Sequence, residues 1–229
     1  MPHEIDPFQA HVARIALAAA QEYGFVLGGG LALLAHGVVS RPTEDIDLFS
    51  DRPEGAGVPA AAARVRTALE SAGIRVRTQE AESSVGELIA GLDEQIIELV
   101  AARGDADPDG VRLSLGYLHR RRGPVMLDVG PVMHLDDLRA WKVAALVARA
   151  EPRDFIDVAA FLESADARQL LKLARTMDPD IEDEDVVRIP ARLDRIPDRE
   201  LAGYGLDAAA VARLRRQFSG WPGMPPPGR

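Results

Sequence analysis

The stretch Gly28-Gly29-Gly30-Leu31-Ala32-Leu33-Leu34-Ala35-His36-Gly37, followed shortly by Arg41-Pro42-Thr43-Glu44-Asp45-Ile46-Asp47-Leu48-Phe49, decides how this chain is read. Asp45 to Phe49 alternates with a period of two, so Ile46 and Leu48 enter a core while Asp45 and Asp47 leave the same strand face. Phe25-Val26-Leu27 reads as a short apolar strand running into the three glycines, and Leu31 to His36 as a short buried helix stopped by Gly37. A glycine turn that opens a helix lets backbone N–H groups approach phosphate oxygens closely, since no Cβ intrudes. Two carboxylates on one strand face can share hard cations, and Mg²⁺ commonly bridges carboxylates to substrate phosphates. Each part alone is commonplace, a turn or a solvated strand edge. In this order, with one short helix between them, they describe a site for a nucleoside triphosphate (NTP).

Outward from this stretch, Phe8 to Tyr23 has the spacing of an amphipathic helix, with Phe8, Val12, Ile15 and Ala19 on one face. A helix is expected over Pro59 to Ala72 and a strand over Ile74 to Thr78. Glu94 to Ala102 and Val111 to Tyr117 read as a hairpin across Asp107-Pro108-Asp109-Gly110, and Pro124 to Val129 as one further strand. From Leu135 the pattern is helical: Asp136 to Ala150, Asp154 to Leu162, Ala165 to Met177 and Ala208 to Phe218. The shift from strands to helices predicts an α/β fold, a mixed-sheet core over residues 1–134 followed by a helical region over 135–220. The Pro/Gly-rich residues 221–229 are expected to form a disordered tail.

Lys142, Arg149 and Arg153 lie at helical spacings beside apolar Val143, Leu146 and Val147, and Lys142 and Arg149 fall nearly on one face. A cationic stripe could neutralise charge building on a leaving pyrophosphate. The alternative is a solvated face with Arg153 paired to Asp157 four residues on. For Asp154 and Asp157 a helix-start role in capping and inter-helix bonding competes with a catalytic one.

The Gly28-to-Phe49 stretch resembles the nucleotidyltransferases of the AbiEii type, the toxin halves of type IV toxin–antitoxin pairs that include the MenT-like toxins. The block Lys142 to Asp157, with Arg149, Arg153 and Asp154, is similar to that family's Lys-to-Arg-Asp segment. The resemblance spans roughly Gly28 to Leu162. It implies a polymerase β-like nucleotidyltransferase core in which an acceptor hydroxyl attacks the α-phosphorus of the NTP and pyrophosphate leaves. Asp45 and Asp47 would hold Mg²⁺ or Mn²⁺, and Gly28, Gly29, Gly30, Arg41, Thr43, Lys142 and Arg149 would contact the nucleotide. Lys142 and Asp157 would be catalytic, the acceptor RNA, with tRNA the expected one, and the partner a cognate antitoxin. Two rivals are a small-molecule adenylyltransferase of the aminoglycoside-modifying kind and a degenerate, non-catalytic binding domain. The acidic run Asp178 to Asp185 could serve the first rival as a pocket for a cationic substrate.

Such enzymes use a third carboxylate from a neighbouring strand, but the expected position, 114, is Ser. Asp128 is the preferred substitute, as metal ligand and base, and Glu98 the second choice. Gly30 stands where many relatives carry Ser or Thr. None of the five histidines shows zinc-ligand spacing, and Trp141, though beside Lys142, reads as a core residue.

Composition narrows the partners. The 229 residues are 47% hydrophobic and 28% charged, as in an ordinary globular protein. With no cysteine, thiolate chemistry and disulfides are excluded. There is no apolar run long enough for a membrane span, and Met1 to Asp6 lacks the layout of a secretory signal, so a cytoplasmic location is expected. The net charge of −9 argues against broad contact with duplex nucleic acid. His119-Arg120-Arg121-Arg122, the one compact basic cluster, reads first as a solvated loop and second as a confined site for an RNA end.

Overall fold

A computed structural model describes residues 5–52, 57–79, 96–104 and 110–222. The chain divides into two compact units, Met1–Leu138 and Arg139–Arg229.

The first unit opens with α1 (Pro7–Ala19). Asp6 caps it by accepting from the Phe8 and Gln9 amides, and Pro7 occupies the first turn, where its missing N–H costs nothing. The buried residues are Gln9, Ala10, Val12, Ala13, Ala16 and Leu17, which share only Val12 with the expected Phe8–Val12–Ile15–Ala19 face. Gln9 causes the shift: its side-chain amide donates to the Thr43 and Asp45 carbonyls, drawing a polar residue inward. Phe8 instead lies under the Arg103 guanidinium at 4.7 Å.

A 3-10 turn (Gln21–Tyr23) leads into β1 (Val26–Leu27), then α2 (Gly29–Ala35), β2 (Asp45–Ser50), α3 (Gly57–Ser71), β3 (Arg75–Gln79), β4 (Ile97–Ala102), β5 (Val111–Tyr117), β6 (Val125–Leu127) and β7 (Gly130–Val132). Among the described residues the strands make one mixed sheet in the order β3-β4-β5-β2-β1-β7-β6. β2 runs parallel to β5 and antiparallel to β1, and β1 runs parallel to β7. β4 pairs antiparallel with β5, as the hairpin reading expects; residues 105–109 of its turn, and Glu94, lie outside the described residues. Ile46 and Leu48 are fully buried while Asp45 and Asp47 are half-buried, so the period-two alternation sets the face. The single strand expected over Pro124 to Val129 is instead a hairpin, β6–β7, because Gly130-Pro131 continues as a strand.

The helix α4 (Leu135–Ala148) contains the division between the units. The second unit continues with α5 (Pro152–Leu162), α6 (Ala167–Ala174), α7 (Asp183–Arg195), α8 (Asp198–Ala202) and α9 (Ala208–Ser219). Helices α7 and α8 fall where no element was expected. Pro190 sits inside α7, and only Val186, Ile189 and Leu193 form its buried stripe. Phe155 and Phe218 meet edge to face at 5.1 Å. Each of these fully buried rings contributes about 1.5–3 kcal/mol. Trp221, expected at the head of a disordered tail, is buried beside Phe218 and donates its indole N–H to the Val186 carbonyl. Residues 223–229 lie outside the described residues. No helix among the described residues is long and apolar enough to cross a membrane.

Candidate active site

Three segments of the first unit build the site. Strand β1 leads into Gly28, whose amide donates to the Asp47 carbonyl at 2.8 Å and ties the start of α2 to β2. Gly29 and Gly30 are not turn residues, as expected, but the first turn of α2. The first amides of a helix have no intrahelical acceptor, so this end offers N–H donors to an anion.

Gly29 has φ +61°, and a Cβ there would lie 1.7 Å from Asp47 Oδ2. The Asp47 carboxylate therefore rests directly against the Gly29 backbone, which joins the glycine motif and the Asp-x-Asp motif into one place. A Cβ on Gly30 would come within 2.9 Å of Thr43 Oγ1 and 3.0 Å of Arg41 Nη2. Those two side chains occupy the space of the Ser or Thr expected from relatives. Arg41 is buried and donates to the Pro42 carbonyl, and Gln9 holds the Thr43 and Asp45 carbonyls from below. The segment entering β2 is thus anchored from both sides. Gln9 was missed by sequence reading, since its role depends on a contact 34 residues away.

Asp45 accepts from Arg112 Nε at 2.9 Å. That hydrogen bond, reinforced by the charge of Asp45, raises the Arg112 pKa, with Glu98 and Glu44 adding to the field. Register explains why these groups cluster: Asp47 lies opposite Ser114 on β5, and Ser114 lies opposite Glu98 on β4. Directly opposed residues share a sheet face, so Asp47, Ser114 and Glu98 form a row across three strands, spanning roughly 10 Å.

Asp128 does not join them. It lies in the β6–β7 turn at the sheet edge, and β7 runs parallel to β1, which places that turn at the opposite strand end from Gly28. Asp128, preferred from the sequence as metal ligand and base, thus lies apart from this row, while Glu98, the second choice, lies in it. The sequence could not reveal this, because β6 and β7 reach the edge by a non-local pairing. Among the described residues no three His, Cys, Asp or Glu side chains converge as a metal cage. A pair of carboxylates with Mg²⁺ otherwise held by substrate phosphates is a normal arrangement, and Asp45 and Asp47 fit it by face and by donor type.

The second constellation lies in the second unit. Lys142 Nζ contacts Asp157 Oδ2 at 2.8 Å, with Asp157 fully buried and Lys142 nearly so. Arg149 grips fully buried Asp154 with two hydrogen bonds of 2.8 Å, a fork-to-carboxylate match that occupies its guanidinium. Arg149, expected from the sequence to contact the nucleotide, braces the start of α5 through this pair. Asp154 also accepts from the Glu151 amide and completes a capping box. Arg153 pairs with Glu151, not with Asp157. Ala150, between these partners, adopts φ 54°, a left-handed conformation uncommon for a residue with a Cβ. Trp141 is a core residue, as read.

The basic cluster is a loop with His119, Arg121 and Arg122 exposed, as read first, but with one member drawn inward. Arg120 turns inward, donating to Asp51 at 2.6 Å and to the Gly24 carbonyl, while the Arg121 and Arg122 amides both donate to buried Asp137. The acidic run toward Asp185 leads into a helix. Asp183, Glu184 and Asp185 form the first turn of α7, where the helix dipole favours them, and Arg175, Arg188 and Arg192 pair with them.

A mixed sheet whose strand-borne aspartates meet a glycine-opened helix defines a nucleotidyltransferase, and the comparisons with known proteins agree. The model of the nucleotidyl transferase AbiEii toxin family of type IV toxin–antitoxin systems matches residues 12–219, and the chain belongs to that family. The match continues well past Leu162, where sequence reading found no resemblance. Among solved structures, the chain is similar to MenT4, a nucleotidyltransferase toxin from Mycobacterium tuberculosis H37Rv, at 16% identity and TM-score 0.57, covering 92% of this chain and 81% of that one. JHP933 from Helicobacter pylori is similar at 15% identity and TM-score 0.52, covering 94% and 92%. A putative nucleotidyltransferase from H. pylori follows at 14% identity and TM-score 0.53, covering 94% and 95%. At these identities the likeness shows the fold. No curated protein matches the chain in sequence.

Proposed function

We propose that this enzyme transfers the nucleoside monophosphate of an NTP to a hydroxyl at an RNA end, in the cytoplasm, as the toxin of a pair with a cognate antitoxin. The observation that carries the reading is the seat of the Asp47 carboxylate against Gly29, one strand residue pair from Asp45. That contact brings a phosphate-ready helix start and the two carboxylates to one point. The acceptor oxygen bonds to the α-phosphorus as the bond to the pyrophosphate oxygen breaks, and Glu98 is the carboxylate proposed to take the hydroxyl proton. Asp45 and Asp47 would hold Mg²⁺, which when bound offsets charge on the phosphates. The amides of Gly29 and Gly30 orient the triphosphate, and Lys142 is assigned to the charge that develops on the leaving pyrophosphate.

For the acceptor, a chain of net charge −9 favours a confined contact with few phosphates. Arg121 and Arg122, exposed and with their backbone fixed by Asp137, suit that role better than buried Arg120. The test is incubation of the enzyme with total RNA and each α-labelled nucleotide. Asp45→Asn and Asp47→Asn should each abolish labelling without lowering the melting temperature by more than a few degrees. Labelling of an aminoglycoside or polyamine but of no RNA would overturn the acceptor reading. Full activity in both variants would overturn the site.

A further inference from the structure

We propose that the first unit carries a second binding site, for a small organic anion with an apolar body, at the strand ends remote from Asp45 and Asp47. A cavity of about 780 Å³ lies there, lined by Gly24, Phe25 and Val26 where β1 begins, Asp51 and Arg52 just after β2, and residues of α1 and the β6–β7 hairpin. Gly28 and Asp47 are each four residues along their strands from Gly24 and Asp51, a separation of roughly 13 Å. The two sites therefore share strands without sharing residues. The volume falls in the range of about 300–1,000 Å³ typical of small-ligand pockets.

Charge selects the ligand class. In a chain of net charge −9, three arginines, Arg14, Arg52 and Arg120, line this cavity with a single carboxylate, Asp51. Arg120 is the telling member. Its side chain is 5% exposed, and Nη2 alone is bonded, to Asp51 and the Gly24 carbonyl. Its Nε and Nη1 are buried with no hydrogen-bond partner among the described residues. Leaving buried N–H donors unsatisfied costs about 1–3 kcal/mol each, so a turn of this guanidinium toward the cavity to meet an anionic acceptor would recover stability. Arg14 and Arg52 are exposed at the surface, and their guanidinium groups donate to backbone carbonyls, of Asp128 and Glu22.

Apolar groups select the rest of the molecule. Leu17, Phe25, Val26 and Val129 are buried beneath the cavity. Met126, also lining it, is 73% exposed and is the one large apolar side chain so exposed among the described residues. A flexible thioether at a cavity mouth adapts to varied apolar shapes.

The full-length protein is titrated with 1-anilinonaphthalene-8-sulfonate, an anion with an apolar body, and bound probe is then competed with decanoate, decanol, inorganic phosphate or Mg²⁺–ATP. One saturable native-state site is expected, displaced by decanoate at least tenfold more readily than by decanol or phosphate and not by Mg²⁺–ATP. Ala18→Trp, a change at an exposed lining position of α1, should weaken probe binding at least tenfold by filling the cavity. Arg14→Gln with Arg52→Gln should weaken it severalfold, and Asp45→Asn should leave it unchanged. Absence of saturable binding, equal displacement by decanol, displacement by Mg²⁺–ATP, or wild-type binding in the folded arginine double variant would each overturn the proposal. Should Ala18→Trp fail to fold, the arginine variant decides.

Discussion

Replacing Lys142 by methionine should destabilise the protein and stop turnover, and the two effects can be separated. Lys142 Nζ stands 2.8 Å from Asp157 Oδ2, and Asp157 has no exposed surface. At an effective dielectric constant of about 20, unit charges at that distance attract by ~6 kcal/mol, an upper bound on the pair before desolvation. Removing one partner of a buried pair costs about 3–5 kcal/mol, since the other charge is left uncompensated. That is a large part of a total stability of about 5–15 kcal/mol. Adding Asp157→Leu to Lys142→Met removes the stranded charge, and stability should return to within about 2 kcal/mol of wild type. Turnover should not return, because the cation assigned to the pyrophosphate is still missing. Urea denaturation with both probes of secondary structure and tryptophan fluorescence gives the first quantity, and pyrophosphate release the second. A double variant that regains both stability and turnover would show Lys142 to be a structural residue only. A loss below 1 kcal/mol in Lys142→Met would refute the reasoning about the buried pair itself.

Arg112→Gln frees Asp45 from a half-exposed ion pair worth about 0.4–1 kcal/mol, so calorimetric titration with Mn²⁺ should show affinity raised about two- to fivefold. Ala150→Gly should stabilise the protein by about 0.5–1 kcal/mol in urea melts, since the left-handed conformation costs a residue with a Cβ about 1–2 kcal/mol and glycine returns part of that as chain entropy. The Asp6 carboxyl is held below its ordinary value of 3.8, first by the Gln9 amide and then by Arg103. A lowered carboxyl pKa stabilises the fold above the unfolded value, so this contribution should be complete above about pH 4 and fade as pH falls through the lower folded value. Asp6→Ala should cost about 1 kcal/mol at pH 7 and progressively less in acid, read from melts across pH 2–7.

Much of the fold was legible locally. The alternation through Asp45 to Phe49 set a strand and its face, and the hairpin of β4 and β5 followed from two apolar runs around a turn. What stayed hidden depends on pairing across distance. Gly130-Pro131 looks like a turn until Val132 is seen beside Leu27, and nothing local to Asp128 tells that its hairpin lies at the sheet edge. Helix α7 hides because its buried stripe is three residues and its first turn is acidic. Arg149, Arg153 and Lys142 share a helical stripe in the sequence, yet each has its own carboxylate in the structure, and spacing alone does not assign them.

The closeness of Gly29 to Asp47 has a genetic consequence. Alanine is the smallest side chain that can replace glycine, and its methyl would overlap a carboxylate oxygen of Asp47. One point mutation there displaces the acid proposed to hold the metal, while Ile46 and Leu48, fully buried on the other face, keep the strand in its core. A lineage burdened by this enzyme can thus silence it without losing the folded protein. The resulting allele would still present the native surface to whatever recognises it, and a cell could carry it as a catalytically mute copy.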